Sequence, residues 1–303
     1  WAAVRHSSSR TYLQDERIHF ITLDLSSEEA LCQQLLPHQF DYVVHAAGAT
    51  KCLHAADFER INTKGTQHLV RALQTLKMPL RRFVFISSLS VFGPVREQQP
   101  YTEIDEHDAP QPNTAYGRSK LKAEQWLDEQ SGFPFVVLRP TGGYGPRERD
   151  YYLQMKSIRH HIDFAVGFRP QDLTFVYVTD VVQAVFLALE RDVAGRKYFL
   201  TDGAVYSSRQ FSDLIHAELG RPLRLRITAP FWLLRIVTFC GEYLGRATRQ
   251  MTALNNDKYN IMRQRNWQCN TAPARSELGY EPQVKLAEGV RRTVEWYQKQ
   301  GWL

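Results

Sequence analysis

Two side chains in the segment Tyr116-Gly117-Arg118-Ser119-Lys120 are of the right types to act together on a carbonyl group. Residues four apart share one face of a helix, so the phenol of Tyr116 and the ammonium of Lys120 would point into the same cleft. A tyrosine normally loses its proton near pH ~10, and a fixed positive charge nearby lowers that pKa. Ser88, which follows an apolar strand, is a candidate to hold the oxygen that the tyrosine protonates. The spacing therefore predicts acid and base catalysis by Ser88, Tyr116 and Lys120, although a Tyr-x-x-x-Lys pair by itself is more often a surface pair.

The composition is that of a soluble globular protein with room for one large domain or two unequal ones. The chain has 303 residues, of which 43% are hydrophobic and 23% are charged. Its formal charge is +6 at pH 7, but the basic residues are scattered and form no sustained stripe. We therefore expect no nucleic-acid partner, and we interpret the basicity as a solvated surface with a minor share for a phosphorylated cofactor.

The cysteines are widely spaced and show no paired-ligand pattern, so we expect neither a metal site nor a disulfide framework. They are Cys32, Cys52, Cys240 and Cys269. No secretory signal is recognisable, and no stretch of ~20 apolar residues offers a membrane span. A reducing cytoplasm is the expected location.

The most apolar stretch, residues 230–245, is interrupted by Arg235 and Glu242. Its apolar residues recur at every fourth position, as Trp232, Ile236, Cys240 and Leu244. That period predicts an amphipathic helix whose apolar stripe is buried in the core or under a lid. Contact with a membrane surface is the less favoured interpretation.

Short apolar segments alternate with longer helix-like segments through the first two hundred residues. This alternation predicts a doubly wound parallel α/β sheet of the Rossmann type. The expected strands are residues 1–4, 18–23, 42–45, 83–86, 135–138, 175–178 and 198–200, and the expected helices are residues 56–76, 114–130 and 180–190. We expect a cofactor-binding domain over residues 1–200 and a substrate lobe over residues 201–303, to which residues 140–172 also contribute.

The first strand is followed by Arg5 and a run of serines that includes Ser7. In a dinucleotide-binding fold the second strand ends at the adenosine ribose, where an arginine suits a 2′-phosphate. The sequence contains no G-x-G-x-x-G phosphate turn. We therefore expect Trp1 to open the second strand of the fold, with about 30 further residues before it in the native protein.

Six motifs occur in the order that one family requires. They are Asp24-Leu25, His45-Ala46-Ala47-Gly48, Asn62-Thr63-Lys64-Gly65-Thr66, Ser87-Ser88 with Tyr116 and Lys120, Arg139-Pro140-Thr141-Gly142-Gly143-Tyr144-Gly145-Pro146, and Phe175-Val176-Tyr177-Val178-Thr179-Asp180. With them, nearly the whole chain resembles the extended short-chain dehydrogenase/reductase superfamily, also called the epimerase/dehydratase family. The closing Leu278-Gly279-Tyr280-Glu281-Pro282 looks most like the dihydroflavonol reductase and 3β-hydroxysteroid dehydrogenase branch.

The resemblance implies roles for particular residues. The implied cofactor-binding set is Arg5, Ser7, Asp24, Leu25, Ala46, Ala47, Gly48, Lys51, Asn62, Ser87, Tyr116, Lys120, Pro140 and Thr141. The implied substrate contacts are Ser88, Tyr144, Arg169 and Tyr177. Each residue also has a plainer explanation, such as a helix cap for Asp24, a bond to a neighbouring loop for Asn62 or a solvated loop lysine for Lys51.

The implied activity is hydride transfer between NADP(H), with NAD as the alternative, and a carbonyl or secondary alcohol. In that mechanism Tyr116 is the general acid and base, Lys120 lowers its pKa and holds the nicotinamide ribose, and Ser88 orients the substrate oxygen. Two other interpretations stay open, a nucleotide-sugar epimerase with a retained NAD and a non-catalytic NADP-binding sensor or scaffold. Leu89 after Ser88 argues against a sugar 4,6-dehydratase, which would need acidic residues there. The implied partner is a small carbonyl compound, alcohol or sugar nucleotide, and a homodimer through the helices at 56–76 and 114–130 is left open.

Overall fold

The computed structural model describes residues 1–220, 223–248 and 255–303, so residues 221–222 and 249–254 of the expected substrate lobe lie outside the described part. All seven strands that the sequence predicts are present, together with five others. The strands are β1 (Ala2–Val4), β2 (Phe20–Thr22), β3 (Tyr42–His45), β4 (Arg82–Ile86), β5 (Phe135–Pro140), β6 (Gly142–Tyr144), β7 (Ile162–Val166), β8 (Asp172–Leu173), β9 (Phe175–Tyr177), β10 (Lys197–Leu200), β11 (Tyr206–Ser207) and β12 (Leu225–Ala229).

The predicted helices are also confirmed, with ends that shift by a few residues. The α-helices are α1 (Glu28–Leu35), α2 (Ala55–Phe58), α3 (Gly65–Thr75), α4 (Ala115–Asp128), α5 (Asp150–Arg159), α6 (Val178–Glu190), α7 (Ser208–Glu218), α8 (Phe231–Thr248), α9 (Asn256–Arg263) and α10 (Leu286–Lys299). A π-helical segment, Glu59–Lys64, joins α2 to α3, so the expected helix at 56–76 is continuous but changes its winding.

The central sheet has four parallel strands in the order β10, β5, β4, β3. Its register pairs Val43 with Phe83 and Phe83 with Phe135. Parallel strands covered by helices on both faces are apolar without alternation, as the buried Phe83, Val84 and Phe85 of β4 show. Strands β1 and β2 form a separate parallel pair among the described residues. Ile21 of β2 nevertheless packs in the same hydrophobic cluster as Phe83, so the pair and the sheet share one core.

The helices on the two faces of the sheet bury apolar positions at helical spacing. On one face, Leu69 and Leu73 of α3 and Ala123 and Leu127 of α4 are buried against the sheet. On the other face, α6 buries residues four apart, Ala184 and Ala188. This packing presents the carboxyl ends of β3, β4 and β5 beside the start of α4, which is where open α/β sheets bind ligands.

The remaining elements pack as a second group, which we call the second lobe, around aromatic side chains and α10. Its largest buried side chains include Phe211 of α7 and Tyr297 of α10. The orientation predicted for the stripe on α8 is wrong, because the structure exposes Trp232, Ile236, Cys240 and Leu244 and buries Leu234 and Thr238 instead. Hydrophobic period identifies an apolar face but does not reveal which face meets the protein. No helix within the described ranges is long and apolar enough to cross a bilayer.

Candidate active site

Helix α4 begins directly after Thr114, whose side-chain oxygen accepts the Gly117 N–H at 2.9 Å as an N-cap. Tyr116 and Lys120 follow in the first two turns on one face of the helix. Gly117 lets α4 approach the turn after β4 closely, since a Cβ at this position would lie 2.3 Å from the carbonyl oxygen of Ser90. The glycine in the Tyr-Gly-x-x-Lys segment thus brings Tyr116 up against Ser88.

Ser88 lies just beyond the end of β4 and caps the short 3₁₀ turn Leu89–Val91. Its Oγ accepts the Ser90 N–H at 3.2 Å and lies 3.2 Å from the Ser90 hydroxyl. The same hydroxyl lies beside the Tyr116 phenol. Burial raises the pKa of Tyr116 to about 12, and the polar contact with Ser88 opposes that rise. The phenol is therefore held as a protonated acid at neutral pH.

Lys120 is 4% exposed and lies at the bottom of the site. Its Nζ donates to the Ile86 carbonyl at 2.8 Å and lies 4.6 Å from the centre of the Phe85 ring. Burial lowers the pKa of Lys120 to about 8, with Glu124 opposing the change. The expectation that Lys120 lowers the pKa of Tyr116 is not what this arrangement produces, because burial dominates and the ammonium is turned toward the strand carbonyl.

The turn after β3 meets α4 at Lys120. A Cβ on Gly48 would lie 3.3 Å from the Lys120 Nζ and 3.0 Å from Asn62 Oδ1, so a side chain at this position would crowd both groups. Asn62 is 1% exposed, accepts the Ala49 N–H at 2.7 Å and donates to Ser119 Oγ at 2.9 Å. Its amide therefore joins the turn to α4. This bonding supports a positioning role for Asn62 over direct contact with a cofactor.

A buried ion pair below the site was missed by the sequence reasoning. Glu124 and Arg139 are 0% and 4% exposed and form an ion pair at 2.5 Å. Ser87 donates its hydroxyl to Glu124, so its side chain belongs to this pair rather than to the cofactor cleft where we expected it. Positions 116, 120 and 124 are spaced by four residues, which is the signal that could have placed Glu124 on the face that carries Tyr116 and Lys120.

The other expected cofactor contacts follow strand ends. Arg5 and Ser7 are exposed beyond β1, and Asp24 and Leu25 follow β2, where Asp24 accepts the Ser26 N–H at 2.9 Å. Ala46, Ala47 and Gly48 form an exposed strip of small residues after β3. Pro140 ends β5, and Thr141 donates its N–H to the Leu200 carbonyl at 3.1 Å.

Two expected substrate contacts lie elsewhere. Tyr144 and Tyr177 are 2% and 4% exposed, and their rings are 5.5 Å apart in an aromatic cluster with Phe175. They pack the core of the second lobe and do not line a cleft, because a residue at a strand end can face either side. Arg169 is exposed in the loop after β7.

Lys51 is partly buried and forms an ion pair with Asp150 at the start of α5. Lys258 of α9 lies 3.3 Å from the same carboxylate. Burial alone would raise the pKa of Asp150. The two lysines outweigh that effect and hold the pKa below its usual value. Lys51 therefore ties the turn after β3 to the second lobe.

A cavity of about 260 Å³ touches Ala115 and Arg118. These positions lie on a different face of α4 from Tyr116 and Lys120. Phe58 also lines the cavity, and its ring lies 6.3 Å from that of Tyr116. Among the described residues, no group of three or more His, Cys, Asp or Glu side chains is placed to hold a metal ion.

Solved structures with the same architecture place the chain among Rossmann-fold proteins. One is the structure of UDP-glucose 4-epimerase from Thermotoga maritima with UDP-glucose. Its sequence is 21% identical, and the superposition has a TM-score of 0.76 and covers 98% of this chain and 90% of that chain. Residues 1–200 match the model of the NAD dependent epimerase/dehydratase family.

The chain belongs to the NAD dependent epimerase/dehydratase family. A Stigmatella aurantiaca relative, 4-hydroxy-2-methyl-3-oxo-4-farnesyl-3,4-dihydroquinoline-1-oxide ketoreductase, is 31% identical over 266 residues, covering 82% of this chain and 75% of the relative. Human dTDP-D-glucose 4,6-dehydratase is 27% identical over 297 residues, which cover 93% of this chain and 72% of the human protein. The chain is thus an NAD(P)-dependent enzyme of the short-chain dehydrogenase/reductase or epimerase class.

The residues present fit a nicotinamide dinucleotide. The exposed strip from Ala46 to Gly48 offers bare backbone beside the Lys120 ammonium, at the edge of the sheet where dinucleotides lie. Arg5 and Ser7 offer polar groups at the end of β1, and their side chains are exposed.

Proposed function

We propose that this chain is an NADP(H)-dependent oxidoreductase that interconverts a carbonyl compound and a secondary alcohol. The observation that carries the proposal is the Ser88 hydroxyl beside the Tyr116 phenol, with Lys120 one helical turn further along α4 and the open strip after β3 beside it. This set offers an acid, an orienting hydroxyl and a cation on adjoining segments.

In the reduction direction, Tyr116 donates its phenolic proton to the substrate oxygen, which Ser88 orients through a hydrogen bond. A tyrosine whose pKa is about 12 is fully protonated at neutral pH, and this state suits the donor role. Lys120 would hold the nicotinamide ribose of a bound cofactor, which would supply or take up the hydride. Asn62 and Gly48 keep the exposed strip of small residues after β3 against α4.

Arg5 and Ser7 support NADP over NAD, because a guanidinium pairs well with a 2′-phosphate. The test is a titration of the wild type, Arg5→Ala and Arg17→Ala with NADPH and with NADH. Binding is monitored by nicotinamide or tryptophan fluorescence. Arg17 is exposed in the same segment and pairs with Asp15, so it controls for loss of surface charge. We expect Arg5→Ala to weaken NADPH at least about tenfold and to leave NADH nearly unchanged. Preference for NADH in the wild type, or equal effects of the two variants, would overturn the assignment to NADP.

A nucleotide-sugar epimerase is the second candidate, and the relatives named as acting on dTDP-glucose and UDP-glucose favour it. An epimerase re-reduces its own intermediate and therefore keeps its cofactor, whereas a net reductase exchanges it. Release of cofactor on denaturing the purified protein, together with activity only on sugar nucleotides, would favour the epimerase. Turnover of NADPH with simple ketones from a carbonyl panel, with no bound cofactor released, would favour the reductase. The homodimer through α3 and α4 stays a prediction that light scattering can test.

A further inference from the structure

Helix α8 presents an apolar face to solvent. Trp232 is 65% exposed, Phe239 72% and Tyr243 69%. We call this surface the α8 face, and it comprises Trp232, Leu233, Ile236, Val237, Phe239, Tyr243 and Leu244. Soluble proteins rarely expose so many large apolar side chains together unless the surface meets a partner or a membrane.

The opposite side of α8 is the one that packs on the protein. Leu234 is 7% and Thr238 2% exposed, and the Arg235 guanidinium lies 5.7 Å from the centre of the Tyr259 ring of α9. A groove of about 620 Å³ runs along the helix and is lined by Trp232, Ile236 and Tyr243 among others. The outer side of α8 is therefore strongly apolar, and such a surface is stable in water only when it is covered.

The strand pair before α8 repeats the pattern. Arg226 of β12 pairs with Asp163 of β7 in register, and the two side chains form an ion pair at 3.2 Å. Side chains alternate along a strand, so the neighbouring residues Leu225 and Phe164 lie on the other face of the pair. They are 63% and 55% exposed. Pro230 joins β12 directly to α8, so two successive elements expose apolar faces.

The charge of this region indicates what covers it. Residues 223–263 contain seven lysine or arginine residues and only two acidic residues. Three of the seven already pair with carboxylates outside this range, since Arg224 and Arg226 contact Asp213 and Lys258 contacts Asp150. Arg235 and Arg263 are exposed, whereas the carboxylate of Asp257 is occupied by backbone N–H groups of α4. A symmetric self-interface would bring the same basic residues of two copies together, which is unfavourable.

We propose that the α8 face docks on the surface of an anionic lipid bilayer, with α8 lying in the interfacial plane and its basic residues meeting the headgroups. Helices of this kind combine Trp, Phe and Leu on one side with Arg or Lys nearby. Anionic headgroups attract each nearby basic residue electrostatically, so the binding should weaken with salt. The docking concerns the outer side of α8 and does not depend on the reaction proposed above.

The test is co-sedimentation of the full chain with vesicles of phosphatidylcholine alone and with 30% phosphatidylglycerol, a composition chosen at about the anionic share that gives a strong surface potential. Trp232→Glu and Phe239→Glu change the α8 face, and Phe186→Glu is the matched control because Phe186 is 59% exposed on α6. We expect binding only to the anionic vesicles, at least about tenfold weaker for the two α8 variants, unchanged for the control and reduced at 0.5 M salt.

A fluorescent label on Cys240 gives an independent measurement, because Cys240 is exposed on α8. With Cys32 and Cys52 replaced by serine, a polarity-sensitive dye on Cys240 should shift to the blue on adding anionic vesicles. No shift and no sedimentation would overturn the proposal, as would equal loss in Phe186→Glu. A lipid-free dimer that Trp232→Glu and Phe239→Glu convert to monomers, measured by light scattering, would assign the face to a second copy instead.

Discussion

The carboxylate of Asp257, in the first turn of α9, caps the helix that carries Tyr116. It accepts the Ala115 N–H at 3.0 and 2.9 Å and the Tyr116 N–H at 3.3 Å. Asn260, one turn further, donates its amide to the Asn113 carbonyl at 2.8 Å. The second lobe thus holds the start of α4, the helix of Tyr116, by its backbone.

We expect Asp257→Asn and Asp257→Ala to lower kcat about tenfold or more while leaving NADPH affinity nearly unchanged, because a loosened first turn misplaces the phenol. Ser207→Ala is the control, since it removes a comparable N-cap from α7, which carries no proposed catalytic residue. Steady-state kinetics with thermal melts separate the two effects. Equal losses of kcat in Ser207→Ala and the Asp257 variants would show a general loss of stability and contradict the positioning role.

Gly117→Ala should lower turnover and stability together. Alanine is the better helix former by about 1 kcal/mol, yet its Cβ would lie 2.3 Å from the Ser90 carbonyl oxygen and would push α4 away from Ser88. Gly143→Ala is the control, because a Cβ there meets nothing within 4 Å. We expect a lower Tm and at least about a tenfold loss of kcat for Gly117→Ala alone. A Gly117→Ala enzyme that is more stable and fully active would disprove the close approach.

Glu124→Gln should cost about 3 to 5 kcal/mol of unfolding free energy, since it leaves Arg139 buried without its partner. Burial alone would raise the pKa of Glu124, but Arg139 outweighs it and holds that pKa below its usual value. The stabilisation is therefore complete above the ordinary glutamate pKa and is lost as pH falls through the lower folded value. Urea denaturation at pH 7 and pH 3 measures it. Glu59→Gln, at an exposed pair with Lys122, should change stability by less than about 1 kcal/mol, and a similar cost for both would refute the account.

Lys120→Met should abolish turnover and make the folded protein more stable. Burial lowers the pKa of Lys120 to about 8, so below that pH the buried charge opposes folding. Above pH 8 the folded lysine becomes neutral while the unfolded one stays charged, so the wild type gains stability and the difference narrows. We expect Lys120→Met to have an unfolding free energy about 1 to 3 kcal/mol above that of the wild type at pH 7, and a smaller difference at pH 9.5. Denaturant titrations at the two pH values measure it. Lys122→Met, on the exposed side of α4, should show no such gain, and a less stable Lys120→Met would contradict this explanation.

Much of the fold follows from local pattern. Continuous apolar segments mark strands covered on both faces, and the period of α3 and α4 places their buried sides. The closeness of Ser88, Tyr116 and Lys120 was also predicted, because it depends on helix spacing and on the turn after one strand.

What the sequence could not provide are contacts between distant segments and the direction that a strand-end residue takes. Asp257 is separated from Tyr116 by 141 residues, and no local period connects them. Tyr144 and Tyr177 sit at strand ends, where the sequence does not decide between core and cleft. The stripe on α8 was visible, but its outward orientation depends on the packing of α9 against the other side.

The most direct test is Tyr116→Phe, which removes only the phenolic oxygen. We expect NADPH to bind as tightly as to the wild type by fluorescence titration, while turnover of a carbonyl substrate falls by about 10² to 10⁴, the usual worth of a positioned general acid. Wild-type turnover in Tyr116→Phe would contradict the catalytic role on which the account rests.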